Sequence, residues 1–156
     1  MFKVYKPEYN PQDLSGQVGG TITSNLFSGY LNELFYHVSV PPSGVDEVAY
    51  QYRKLFIKNE HTTSSTNTRI WLDSLEHPSQ ISICRSSGLS DYTSSATGEP
   101  SGVTGWVSPT NYAEGLSLGT MTSSAYSGVW IRQALSGIEE PDPYSSFRIY
   151  IGGIIT

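Results

Sequence analysis

Apolar and polar residues alternate along much of the chain, in short runs that end at Gly, Pro or hydroxyl-rich turns. Residues 47–59 show the strongest pattern, with Tyr50 and Tyr52 on one face and Leu55 and Ile57 on the other. Alternation with period two is typical of a β-strand. An apparent change of phase halfway along this strand predicts a β-bulge.

Similar patterns predict several more strands separated by turn residues. They lie at about residues 33–40, 68–73, 79–85, 126–133 and 146–151, with a shorter apolar alternation at Leu116 and Leu118. In the last of these strands we expect Phe147, Ile149 and Ile151 to point inward and Arg148 and Tyr150 to point outward. Residues 24–30 carry apolar positions at helical spacing, which predicts a short helical turn there. Seven or eight strands at this spacing predict an all-β fold, an antiparallel β-sandwich of immunoglobulin-like or jelly-roll-like type.

The first 22 residues interrupt this pattern with Pro7, Pro11 and several glycines. We therefore divide the chain into an extended N-terminal arm, residues 1–22, and a β-sandwich domain, residues 23–156. Either a neighbouring subunit or the chain's own domain could hold such an arm. At the other end, Gly152-Gly153 is expected to close the core and leave a short apolar tail.

Residues 86–105 are rich in Ser, Gly and Thr and carry few apolar side chains. A structureless connection of about twenty residues is unusual in a compact domain. This segment is therefore expected to be either a functional surface loop or, around residues 102–107, a weak edge strand.

Composition narrows the possible functions. Charged residues make up 15% of the chain, whereas 24 Ser and 13 Thr fill the turns, which argues against a helical enzyme. A net charge of −5 with scattered Lys and Arg argues against a nucleic-acid partner. We find neither a signal-peptide core nor an apolar run of about 20 residues, and so expect synthesis in a cytoplasm and no membrane partner.

Candidate chemistry is sparse. The single cysteine, Cys84, lies between apolar strand positions and is expected to be a small buried hydrophobe rather than a nucleophile. The acidic residues Glu139, Glu140 and Asp142 lack the spacing of a calcium loop, and no histidine pair has zinc spacing. Phosphate-binding and nucleophile-elbow motifs are also missing. The sequence predicts no catalytic residue, no metal and no cofactor, hence no enzyme.

Aromatic side chains are the remaining candidates. Trp71 and Trp130 each point to the face opposite their apolar neighbours. Such rings either pack beneath the long loops or form exposed contact sites, as in protein interfaces and sugar-binding platforms.

A series of short motifs, in this order, resembles a group of small virion proteins of tailed bacteriophages. The motifs are Gly19–Ser24, Leu34–Ser39, Tyr52–Asn59, Thr68–Leu72, Ser108–Ala113, Leu116–Gly119, Gly128–Arg132 and Phe147–Gly153. The resemblance covers roughly residues 14–153. It departs at Gln133, where the group often has a second Arg, and in the loop of residues 136–142.

The resemblance implies a virion location and a capsid decoration, or cement, protein that binds the major capsid protein and forms a homo-oligomer, with a trimer favoured. Assembly would take place in the bacterial cytoplasm. The candidate interface residues are Phe2, Tyr5, Tyr9, Trp71, Trp130, Ile154 and Ile155. The alternative is a tail or head-fibre component that binds host glycans through Trp71 or Trp130.

Overall fold

A computed structural model describes residues 1–11, 14–29, 34–35, 48–73, 81–136 and 148–156. Within these residues lie the strands β1 (Phe2–Tyr9), β2 (Val18–Leu26), β3 (Val48–Asn59), β4 (Ser65–Asp73), β5 (Ile81–Arg85), β6 (Tyr92–Thr93), β7 (Leu116–Met121), β8 (Tyr126–Ser136) and β9 (Arg148–Ile155). The larger sheet has the order β5-β8-β3-β1-β2-β6 and the smaller sheet the order β7-β4-β9. All pairings are antiparallel, so the predicted all-β sandwich is confirmed.

The pairing of β3 with β8 is the longest in the structure. It runs without a register shift from Val48 opposite Ser136 to Lys58 opposite Tyr126. The predicted bulge near Arg53 is therefore wrong. Ordinary alternation already places odd and even residues on opposite faces, and both faces are apolar here because both are buried.

The N-terminal segment belongs to the larger sheet. β1 lies between β3 and β2, with Phe2 opposite Asn59 and Tyr5 opposite Phe56. The chain thus does not divide at residue 22: its own domain holds the segment that the sequence suggested as an arm. Pro7, Pro11 and the nearby glycines concealed this position, because they interrupt the alternation by which a strand is recognised.

Two other sequence predictions need correction at strand ends. β2 continues to Leu26, so the helical turn predicted from residue 24 does not begin there. β9 continues past the two glycines to Ile155, so the expected tail is the end of a strand paired with β4. The strand predicted at 33–40 lies outside the described residues, apart from Leu34 and Phe35, which are buried in the core.

The main core fills the space between the two sheets. Leu55 and Ile57 of β3 meet Ile70 and Leu72 of β4, all nearly inaccessible to solvent. Ile149 and Ile151 pack against this core from β9, on the side that the sequence predicted. Full burial of such a side chain stabilises a fold by about 1.5–3 kcal/mol.

A second core lies on the outer face of the larger sheet, beneath residues 86–106, which we call the cover loop. Here Trp130 and Tyr52 pack against Ala96 and Val103 of the loop. The Ala96 carbonyl accepts a hydrogen bond of 2.7 Å from the Tyr52 amide. The loop is thus a layer of the fold, which explains its length, and its few apolar residues are used to cover the sheet.

The strand predicted near residues 102–107 is present only as a bridge between Val107 and Ile83. Two backbone hydrogen bonds, of 2.8 and 3.0 Å, join these residues. The bridge ties the end of the cover loop to β5.

Because β1 is an inner strand, we expect its backbone amides to be protected from hydrogen exchange in the isolated protein. The amides of residues 3–5 should exchange as slowly as those of β8, and far more slowly than those of the exposed turn at residues 111–114. Exchange measured by mass spectrometry on peptides tests this. Rapid exchange that slows only after assembly with a partner would restore the arm and contradict this topology.

Candidate functional site

The structure scatters the candidate interface residues over three regions. Phe2 packs against the main core and meets His61 edge to face, at 5.5 Å between ring centroids. Tyr5 and Tyr9 lie on β1, half-buried and 37% exposed respectively. Trp71 and the partly exposed Ile154 and Ile155 belong to the smaller sheet.

Trp130 is not available for an interface, because it is completely buried within its own chain. The cover loop lies over it, and its indole nitrogen donates to Asp91 Oδ2 at 2.9 Å. Of the two positions that the sequence left open, beneath a loop or on the surface, the first is correct. Gly19 allows this packing, since a Cβ there would lie 2.8 Å from the Trp130 ring.

A buried ion pair fixes the cover loop to the larger sheet. Lys54 is inaccessible to solvent, and its ammonium group donates to Asp91 Oδ1, to the Asp91 carbonyl at 3.1 Å and to the Gly20 carbonyl at 3.0 Å. The rings of Phe56 and Trp130 lie 4.7 and 5.8 Å from the same nitrogen. Three acceptors and two rings replace the water that this ammonium group loses.

Asp91 is held from several directions. Its Oδ2 accepts hydrogen bonds from Trp130 and from the amide and hydroxyl of Ser87, at 3.0 and 3.1 Å. Its carbonyl also accepts from the Gly20 amide at 2.9 Å. One residue of the loop is thereby joined to β2, β3 and β8.

Burial shapes the acid–base behaviour of this pair. It lowers the pKa of Lys54, although the hydrogen bond and charge of Asp91 act in the opposite direction. Burial also acts to raise the pKa of Asp91, but hydrogen bonds from Lys54 and Trp130 outweigh it and hold that pKa below its ordinary 3.8. A charged Asp91 whose two oxygens bind Lys54, Trp130 and Ser87 holds the loop in place, and we interpret this centre as a structural one.

The outer face of the smaller sheet carries three aromatic rings, Trp71, Tyr112 and Tyr150, which we call the aromatic trio. Trp71 and Tyr150 are cross-strand neighbours that stack at 5.7 Å and 14°. Tyr112 meets Trp71 edge to face at 5.7 Å, and the Arg69 guanidinium lies 5.6 Å from the Tyr112 ring.

This geometry changes the role of Trp71. Tyr150 covers one side of its ring, while Gly152 lies against its far edge, where a Cβ would approach within 3.1 Å. The exposed part of the trio is formed mainly by Tyr112 and Tyr150, each over a third exposed. The sequence missed these two residues, although Tyr150 alternates with the core residues Ile149 and Ile151 and was predicted to point outward.

Cys84 is buried, as predicted, and burial raises the pKa of its thiol. Its sulfur donates to the Thr104 carbonyl of the cover loop. Among the described residues, no group of three His, Cys, Asp or Glu side chains could hold a metal ion. In the same part of the chain, no helix is long and apolar enough to cross a membrane.

Comparison of the chain with protein-family models, with curated proteins and with solved structures gave no match.

Removing the buried cation should be costly. We expect Lys54→Met to lower the free energy of unfolding by about 3–5 kcal/mol, because it leaves the largely covered Asp91 carboxylate without its counter-charge. Lys58→Met is the matched control: Lys58 lies on the same strand, partly exposed and 3.7 Å from Glu60, and should cost at most about 1 kcal/mol. Urea denaturation measures the free energy of unfolding of both variants. Equal losses would show that the buried pair stabilises the fold no more than the exposed one.

The pair should also make the free energy of unfolding fall at acidic pH. The folded-state pKa of Asp91 is depressed, so its contribution is complete above the unfolded value and disappears as pH falls through the folded pKa, below 3.8. We therefore expect the difference in urea midpoint between the wild type and Asp91→Asn to stay constant at neutral pH and to shrink below about pH 3.8. A difference in urea midpoint that stayed constant down to about pH 2.5 in the same buffers would contradict this assignment.

Proposed function

We propose that this chain is a structural protein of a tailed-bacteriophage virion, a capsid decoration protein that binds the major capsid protein on the outer shell. The ordered series of motifs given above supports this proposal. So does a fold in which the long loop is bound tightly to the sheet, because a decoration protein must keep its shape while exposed on a particle. In this proposal the chain is not an enzyme.

The observation that carries the proposal is the surface formed by the aromatic trio and the end of β9. Tyr112 and Tyr150 are 39% and 38% exposed, and Ile154, which alternation places on the same face of β9 as Tyr150, is 55% exposed. Tyrosine and tryptophan are enriched at protein-interface hot spots, because a large rigid ring buries much area at little entropic cost. We propose that this surface contacts the capsid subunit.

Repetition would strengthen such a contact. A shell presents the same site many times, and a homo-oligomer of this chain would engage several sites at once. Closed symmetry suits a trimer at a threefold position of the shell. Each individual contact can then be small and the assembled particle still be stabilised.

The alternative function, a tail or head-fibre module that binds host glycans, has weaker support in its original form. Trp130 is buried, and stacking on Tyr150 covers one side of the Trp71 ring. A sugar platform needs an open ring face. The two tryptophans therefore favour a structural role over the platform role that the sequence suggested for them.

The proposal predicts that Tyr150→Ala weakens binding to shells purified without this protein by about tenfold or more, the equivalent of 1.4 kcal/mol per contact. Co-sedimentation with the shells measures the affinity. Tyr126→Ala is the matched control, since Tyr126 is similarly exposed but lies on the larger sheet.

Heating provides the functional test. Shells that carry the wild-type chain should resist a temperature at which bare shells open, and shells mixed with Tyr150→Ala should resemble bare ones. If bare and decorated shells opened at the same temperature, the cementing role would be wrong. If the chain bound the shells without raising their opening temperature, it would be a shell-attached protein but not a cement protein.

A further inference from the structure

A groove of about 370 Å³ lies on the outer face of the larger sheet. Tyr5 and Lys58 line its floor, and Tyr126, Ser24 and Ser124 lie around it. The contributing strands β8, β3, β1 and β2 are consecutive neighbours in the sheet. Apart from Ser124, which lies in the turn before β8, the residues that line the groove are therefore held by strands.

Contacts with neighbouring side chains fix the two aromatic rings of the groove. The Tyr5 hydroxyl donates to Glu60, which also pairs with Lys3 at 2.7 Å. Lys58 Nζ lies 5.5 Å from the centroid of the Tyr5 ring. Tyr126 meets the buried Phe56 ring edge to face at 5.9 Å. Rings held in this way lose little entropy when a ligand packs on them.

Hydroxyl groups surround these rings. Those of Ser24, Ser124 and Tyr126 form no hydrogen bond to the described part of the chain, so they remain able to donate to or accept from a ligand. Ser124 holds its position through a left-handed backbone, with φ of 65°, in the turn before β8. Lys58 adds a cationic donor.

We propose that this groove binds a pyranose ring of a saccharide. The C–H face of a sugar packs on an aromatic ring, and its hydroxyls pair with groups that can both donate and accept. Aromatic rings within a rim of free hydroxyls meet both requirements. Lys58 lines the groove, and Lys3 and Glu60 pair with each other nearby, so the net charge of the three is one positive and the proposal includes acidic as well as neutral sugars.

The groove lies on the opposite outer face of the sandwich from the aromatic trio. A chain attached to a shell through its smaller sheet would leave the groove open to the surroundings. The saccharide proposal does not depend on that attachment, because the groove is complete within one chain.

Saturation-transfer NMR on the full chain tests the proposal, with glucose, galactose, N-acetylglucosamine and glucuronic acid each at about 10 mM, the range of weak sugar binding. We expect at least one sugar to give a signal that Tyr126→Ala reduces at least fivefold. Tyr150→Ala, which removes a similarly exposed ring from the other sheet, should leave the signal unchanged.

If Tyr126→Ala misfolds, which broad NMR lines would show, its loss of signal says nothing about binding. Tyr126→Phe is therefore the second variant. It keeps the ring and removes only the hydroxyl, and it should weaken binding two- to fivefold. The proposal is overturned if no sugar gives a signal with the wild type. It is also overturned if Tyr150→Ala abolishes the signal and Tyr126→Ala does not, because the sugar would then bind at the trio.

Discussion

The buried contact between Lys54 and Asp91 is the constraint on which the larger sheet depends. An ammonium group without access to solvent is tolerated only where acceptors surround it, and here they come from the cover loop and β2. The contact thereby requires the loop to lie over the sheet. With the loop in place, Trp130 and Tyr52 are buried and the larger sheet has apolar packing on both faces.

Much of the scaffold could be predicted from the sequence, because a strand is recognised from the local alternation of apolar and polar residues. The strand β3 and the inward side of β9 follow directly from Leu55, Ile57, Ile149 and Ile151. The ion pair could not be predicted, since its partners lie 37 residues apart and Asp91 has no local pattern around it. Trp130 was ambiguous for a related reason: two-sided burial removes the polar face that would have revealed its orientation.

The two outer faces of the sandwich differ in chemistry, and each of the two proposed ligands is assigned to one of them. The outer face of the smaller sheet presents stacked rings and the exposed Ile154, which suit a protein surface. The uncovered part of the larger sheet presents rings surrounded by hydroxyls, which suit a saccharide. Tyr5, suggested by the sequence as an interface residue, lies in this second surface, so the saccharide proposal gives it a sugar rather than a capsid subunit as its ligand.

Exchange of the tryptophan indole protons, followed by NMR in D₂O, tests the central role of the buried contact most directly. If the cover loop is locked by Lys54 and Asp91, the Trp130 indole proton should exchange only through global unfolding, about a thousandfold or more slower than that of Trp71. Lys54→Met should remove most of that protection. Comparable exchange at Trp130 and Trp71 in the wild-type protein would show that the loop opens freely, and would contradict the account.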